Sequence, residues 1–291
     1  MIKSWMFKPQ EEGGLPLTGW TYRKSITLSR ASGAVTNYQM KLLLGESSGA
    51  TGEDVDCGGN CLSSFNDIRF TASDGTTLLD YWIESISGTT PNQLATIWIE
   101  FDSIGTGATT FYMYYGNAGA AAASSGANTF IQYHGSSTVS FHDSDVTPTT
   151  GGLRYRARAR WINSVGCNVL FGLASDGYTL SDDYTCVQYY KGDGKSYFKT
   201  ANNATLSFTN ETIVTDDGVY RILEINFVFG VSSIGYINGE QIGSTLTTNL
   251  PNEAMGLFMD EEVGSGEQEW SFVSQYLATE PAWGSWGSEE S

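Results

Sequence analysis

Arg154, Arg156, Arg158 and Arg160 take every second position of the segment LRYRARARW. As a strand, this places the four guanidinium groups on one face and Tyr155, Ala157, Ala159 and Trp161 on the other. Such a stripe could hold the sulfates or uronates of a glycan. Four unpaired like charges on one strand also repel, and acidic side chains on a neighbouring strand would relieve the repulsion. Pairing is the expectation. The remaining catalytic vocabulary is thin. His134 and His142 are the only histidines, which leaves a triad-type hydrolase little to work with. No G-x-S-x-G, H-E-x-x-H or phosphate-binding glycine loop occurs. No catalytic residue is assigned and no enzymatic activity is expected.

The cysteines fall into two local pairs. Cys57 and Cys61 flank Gly58, Gly59 and Asn60. Cys167 and Cys186 flank a hairpin whose turn reads as Ser175-Asp176-Gly177, which would set the two opposite each other. Cross-strand Cβ atoms lie roughly 4.5–5.5 Å apart, so modest adjustment permits a bond. Closing a loop of about 20 residues would contribute roughly 3 kcal/mol. Both pairs are expected as disulfides, with reduced buried thiols as the alternative. A C-x-x-x-C pair with two distant histidines matches no strong zinc spacing, so no metal is assigned.

The elements that must position these residues are strands. The chain has 291 residues, enough for two domains with cores of their own. Its 32 acidic residues exceed its 15 basic ones by 17, which repels phosphate backbones and argues against nucleic acid as a partner. No stretch approaches the roughly 18–20 apolar residues of a membrane span. The opening MIKSWMFKPQEEGG lacks an apolar run of signal-peptide length, while the body reads as an extracellular protein. Release within a virus particle, or a leader already removed, would reconcile the two.

Residues 1–18 read as an extended arm. Trp5, Met6 and Phe7 are apolar, and Pro9, Glu11-Glu12 and Gly13-Gly14 interrupt regular structure. Three large apolar residues seldom sit in a tail without a surface to cover, so the arm is a candidate assembly element, a plain tail being the alternative. If it is one, a chain starting at Leu17 loses self-association. Short alternating runs follow at 21–29, 39–44, 67–70, 79–85, 95–101 and 109–115, bounded by Gly, Asp, Asn and Pro. Gly116–Ala127 (GNAGAAAASSGA) carries no aromatic and no charge, and reads as a linker or one short helical turn. The pattern restarts at 153–161, 169–173, 185–190, 196–199 and 220–229, then a hairpin turning at Asn238-Gly239, then 254–259 and 269–277. Glycosylation acceptor patterns occur at Asn203-Ala204-Thr205 and Asn210-Glu211-Thr212.

Five stretches occur in an informative order: Trp20-Thr21-Tyr22-Arg23-Lys24, Phe65-Asn66-Asp67-Ile68-Arg69-Phe70, Ser73-Asp74-Gly75, Tyr81-Trp82-Ile83-Glu84 and Tyr112-Met113-Tyr114-Tyr115-Gly116-Asn117. They resemble an uncharacterised domain-of-unknown-function family found in surface and secreted proteins of archaea and bacteria and in viral proteins. The resemblance covers roughly 20–120 and implies architecture but no chemistry. Residues 129–291 resemble a concanavalin A-like (laminin G-like) jelly roll. In such folds the first and last strands commonly neighbour each other, which makes Glu267 and Glu269 the expected partners of the arginines. The glycosidases among them place three acidic residues on one strand, since a retaining pair must stand about 5–5.5 Å apart. Here Ser271 follows Glu267 and Glu269, so that pattern is incomplete. Relatives of the laminin G type hold Ca²⁺ in acidic rim loops, and Asp143-Ser144-Asp145, Asp176-Gly177, Asp182-Asp183, Asp216-Asp217 and Asp260-Glu261-Glu262 could do so. They read equally as solvated turns, and no cofactor is assigned.

The expected architecture is all-β, two tandem antiparallel β-sandwiches. The arm 1–18 precedes a sandwich at 19–117, a linker at 118–128 and a concanavalin A-like jelly roll at 129–291. The expected function is non-enzymatic: a virion-surface decoration, spike or fibre protein able to bind glycan. Its partners would be itself, other virion or surface proteins, and a cell-surface glycan. A secreted or cell-surface carbohydrate-binding module is the alternative, and a glycan-cleaving enzyme the second alternative. The localisation is virion surface or extracellular. Glycan recognition needs aromatic platforms beside polar groups. Tyr178, Asp182, Asp183 and Tyr184 are the candidates, taken from a tyrosine-rich stretch that includes Tyr189, Tyr190 and Tyr197.

Overall fold

The computed structural model describes residues 15–31, 33–49, 52–147, 151–162, 168–175, 183–190, 195–212, 218–263 and 265–291. Thus Trp5, Met6, Phe7, Cys167, Tyr178 and Asp182 lie outside the described residues. The first eight strands are β1 (Tyr22–Ser29), β2 (Val35–Gly45), β3 (Val55–Asp56), β4 (Arg69–Thr71), β5 (Leu78–Leu79), β6 (Tyr81–Ser87), β7 (Leu94–Ile104) and β8 (Thr109–Tyr115). A single helical turn, α1 (Gly126–Thr129), is capped by the Ser125 hydroxyl accepting from the Asn128 amide. Then come β9 (Gln132–His134), β10 (Phe141–His142), β11 (Gly152–Ile162), β12 (Asn168–Ala174), β13 (Tyr184–Tyr190), β14 (Lys195–Asn202) and β15 (Thr205–Thr212). The chain continues through β16 (Arg221–Val228), β17 (Ser232–Ile237), β18 (Glu240–Gln241), β19 (Gly256–Val263), β20 (Ser265–Tyr276) and β21 (Ala282–Trp286).

These strands form two compact units. The first comprises Met1–Ala34, Lys41–Ser124 and Ala282–Ser291; the second comprises Val35–Met40 and Ser125–Pro281. The sequence boundaries differ at the C-terminus, where 129–291 was one jelly roll. β21 instead pairs with β1, with Leu28 opposite Trp283 and Ile26 opposite Trp286. The reason is apolar and local. Trp283 meets Phe101 edge-on at 5.9 Å, and its indole N–H donates to the Lys41 carbonyl at 3.1 Å.

The first unit is a sandwich of a five-stranded sheet, β21-β1-β8-β4-β5, and a four-stranded sheet, β3-β2-β7-β6. β1–β8, β4–β8 and β6–β7 are antiparallel; β2–β3 is a two-residue parallel contact. Period-two burial of Ala95, Ile97, Ile99 and Phe101 aims β7 at Phe111 of β8, ring centroids 4.6 Å apart. Glu100 points the other way. Burial first, then the charges of Asp80 and Asp102, push its carboxyl up to about 7. The unfolded value is about 4.3, so between the two the folded chain holds the extra proton. Stability therefore falls as pH rises from about 4.5 through about 7. Glu100→Gln is expected to flatten this part of the pH profile in urea midpoints. An unchanged slope would remove Glu100 as its source.

The second unit is a jelly roll of two six-stranded sheets, β10-β19-β12-β13-β14-β15 and β18-β17-β16-β11-β20-β9. Its pairings are antiparallel throughout. The core between the sheets holds Tyr155, Ala157, Ala159 and Trp161 of β11, facing Phe171 of β12, Val187 and Tyr189 of β13 and Phe198 of β14. The β12–β13 ladder gives Cys186 a cross-strand neighbour other than the one expected. Asn168 lies opposite Tyr190, and Cys186 opposite Gly172. Cys186 therefore has Gly172 across from it on β12, and Cys167 lies outside the described residues. Cys186 is buried, and Cys57 and Cys61 are free thiols. Burial, then the hydrogen bond to Cys61, raise the Cys57 thiol well above its ordinary value.

Candidate functional site

The arginine face of β11 is a paired one. Arg160 donates through Nε and Nη2 to Glu267 Oε2, which also accepts from the Tyr220 hydroxyl at 3.0 Å. Arg158 pairs with Glu269. Arg156 meets Glu224 at 2.7 Å. Arg154 reaches Glu280 at 2.5 Å, Glu224 at 3.6 Å and the Asn226 amide oxygen at 3.2 Å. Glu280 accepts in turn from the Tyr38 hydroxyl at 2.9 Å. Tyr38 keeps its proton because burial and then the Glu280 charge raise it far above a free phenol. Glu267 and Glu269 were expected partners; Glu224 and Glu280 were not, because β16 carries one glutamate without periodic repetition and Glu280 lies past the last strand of this unit. Glu267 and Glu269 share a face by simple alternation, which a bulge in β20 then interrupts. Arg158 opposes Trp270 and Ala159 opposes Gln268, so Glu269 is the extra residue. Beyond it the alternation flips, and Ser271 lies opposite Ala157, fully buried.

Two of the sequence candidates for glycan contact are interior. Asp183 is 3% exposed. Its Oδ1 accepts from the Asn203 amide at 2.9 Å and its Oδ2 from the Asn252 amide at 2.8 Å. It holds the β14–β15 turn, whose Asn203 and Ala204 have φ of 46° and 64°. Tyr184 is 1% exposed and clusters with Leu170, Cys186 and Phe258. Neither offers a surface to a ligand, because the residues flanking them commit both to packing. Of the acidic loops, Asp143 sits 3.2 Å from His134 and Asp145 3.5 Å from His142. Asp260 lies within β19, where burial raises its carboxyl. Among the described residues no three His, Cys, Asp or Glu side chains converge as a metal cage.

An exposed aromatic face lies on the same sheet. Along β14, Ser196, Phe198 and Thr200 are buried, so Lys195, Tyr197 and Lys199 face outward. Tyr190 stands opposite Lys195 on one side; Phe208 stands opposite Lys199 on the other. Leu206 continues that face opposite Ala201. Phe208 is 56% exposed, Leu206 46% and Tyr190 44%. Tyr197 and Phe208 meet edge to face at 6.1 Å and 66°, and the Lys199 ammonium lies 5.4 Å from the Tyr197 ring centroid. Tyr190 and Tyr197 belong to the tyrosine-rich stretch, whereas Phe208 and the strand β15 were missed in the sequence. The alternation of Leu206 and Phe208 was the available signal; Asn-Ala instead of Asn-Gly disguised the turn before it.

The sequence model of a family described as Domain of unknown function (DUF2341) matches residues 64–149. No curated protein matches. Among solved structures the chain is similar to the galectin LEC-6 of Caenorhabditis elegans, at 14% identity and a TM-score of 0.37, over 49% of this chain and 96% of the galectin. It is similar to the carbohydrate-binding module CBM66 of Bacillus subtilis at 8% identity and a TM-score of 0.36, over 50% and 98% of the two chains. It is also similar to a prokaryotic β-1,3-1,4-glucanase (lichenase) derived from a mouse hindgut metagenome, at 11% identity and a TM-score of 0.35, over 84% and 98%. The jelly-roll assignment stands on strand order and register.

Proposed function

We propose that this is a non-enzymatic surface protein whose jelly roll binds glycan through the outward face of β13, β14 and β15. The observation that carries it is the set of exposed Tyr190, Leu206 and Phe208 around half-buried Tyr197 on consecutive strands. Isolated apolar residues are ordinary on a surface, but a contiguous aromatic patch bordered by polar groups suits a ligand. Hydrolysis is disfavoured by the state of the carboxylates. Glu267 and Glu269 are each held in an ion pair with a guanidinium, whereas a glycosidase needs its two carboxyl groups free to flank the scissile bond. Display on a virion or cell exterior remains part of the proposal as its setting. The test is affinity electrophoresis of the full chain in gels containing soluble polysaccharides. Tyr197→Ala and Phe208→Ala are each expected to weaken retardation about tenfold or more, with stability changed by no more than about 1 kcal/mol, since Phe208 is exposed and Tyr197 half-buried. Retardation that is unchanged by both substitutions would discard this face.

A further inference from the structure

We infer that the glycan bound at this face is an acidic one, a soluble single polysaccharide chain carrying carboxylates. The inference rests on the proposed glycan-binding role and adds the charge and form of the ligand. The chain has seven lysines among 291 residues, and three of them, Lys191, Lys195 and Lys199, fall within nine positions. Lys195 and Lys199 alternate with Tyr197 on the outward face of β14. The side chains of β13–β15 that reach the surface on this face, Tyr190, Lys195, Tyr197, Lys199, Leu206 and Phe208, include no carboxylate among the described residues, and Tyr184, Cys186 and Ala201 on the same side are buried. In a chain of net charge −17, Lys195 and Lys199 put two cations on one strand of this face. The long-range repulsion of an anionic polymer is screened beyond about 8 Å at physiological salt, while the ammonium groups act at contact distance.

Geometry selects the form of the ligand. Tyr197 and Phe208 stand at 66° to each other, so both rings cannot lie on one flat crystalline surface. They make a corner that fits a single flexible chain. The Lys199 ammonium lies over the Tyr197 ring, 5.4 Å from its centroid, so a sugar that rests against this ring meets the ammonium directly. A neutral hydroxyl there gains an ordinary hydrogen bond; a carboxylate gains a charge-assisted one, roughly twice as strong.

The experiment compares full-length protein in affinity gels and calorimetry with polygalacturonate, with its highly methyl-esterified form, with a neutral β-glucan, with crystalline cellulose and with polyglutamate. Polygalacturonate is expected to bind at least about tenfold more tightly than the methyl ester, which keeps the backbone and removes the charge. Lys199→Gln with Lys195→Gln should abolish that preference, and Lys199→Glu should abolish binding. Both lysines are on the surface, so folding is checked by an unchanged melting temperature. Equal binding of the ester and the acid, lost in Phe208→Ala, would overturn the charge assignment and leave the glycan-binding role standing. Binding of polyglutamate as tight as polygalacturonate would overturn it in favour of a general polyanion surface. Pull-down by crystalline cellulose would overturn the single-chain form. Failure to bind any of the polysaccharides would remove both readings.

Discussion

Arg154→Ala is expected to destabilise the second unit by about 3 kcal/mol, several times the loss at Arg158 or Arg160 of β11. Arg154 is 6% exposed and joins Glu280, Glu224 and Asn226. Removing it leaves two carboxylates facing each other with one cation fewer, and a buried pair broken from one side typically costs about 3–5 kcal/mol. The Glu280 side chain is 42% exposed, so water relieves part of this and the lower end applies. Arg158→Ala is the control. Arg158 and Glu269 are both 40% exposed, and such pairs contribute about 0–1 kcal/mol. Urea unfolding of the full chain measures both. Adding Glu280→Gln to Arg154→Ala should recover part of the loss, because the stranded charge is removed with its partner. Equal losses at Arg154 and Arg158 would show that burial does not set the contribution.

Much of the architecture was legible because β-strands advertise themselves by alternation. β11 and β16 lie where period two placed them, and the resemblance to a concanavalin A-like fold, together with their period, made Glu267 and Glu269 the expected partners of the arginines, where they meet Arg160 and Arg158. Three things were hidden, each for a physical reason. The bulge at Glu269 changes which residues share a face without altering composition. The β12–β13 register depends on where the hairpin turns, and Ser175-Asp176-Gly177 was one good turn signal among several, so Cys186 was set opposite the wrong partner. The glycan candidates failed for a third reason. Asp183 and Tyr184 look like loop residues by type, yet burial is decided by what packs over them, and no local pattern encodes that. The platform itself was half visible. Lys195, Tyr197 and Lys199 alternate plainly, but their meaning needed Phe208, which only strand pairing brings alongside.

The opposite face of the same strand makes the second large prediction. Trp161→Ala is expected to cost about 3–5 kcal/mol, the range for truncating a fully packed large aromatic. Trp161 is 1% exposed and bridges the two sheets of the jelly roll. It meets Phe171 of β12 edge-on at 6.2 Å and Tyr189 of β13 at 5.4 Å, and Arg221 of β16 lies 5.6 Å from its ring. Its indole N–H has no hydrogen-bond partner among the described residues. Trp161→Phe therefore sacrifices volume but no hydrogen bond, and should cost only about 1–2 kcal/mol. The neighbouring Arg160→Ala should change little, since that guanidinium sits on the solvent side. Alternation then appears as a sawtooth in stability along β11, deep at Trp161, shallow at Arg160 and Arg158, and deep again at Arg154 only because that arginine is enclosed. A Trp161→Phe loss as large as that of Trp161→Ala would mean that the N–H is bonded after all, and the bridging ring would no longer account for how the two sheets hold together.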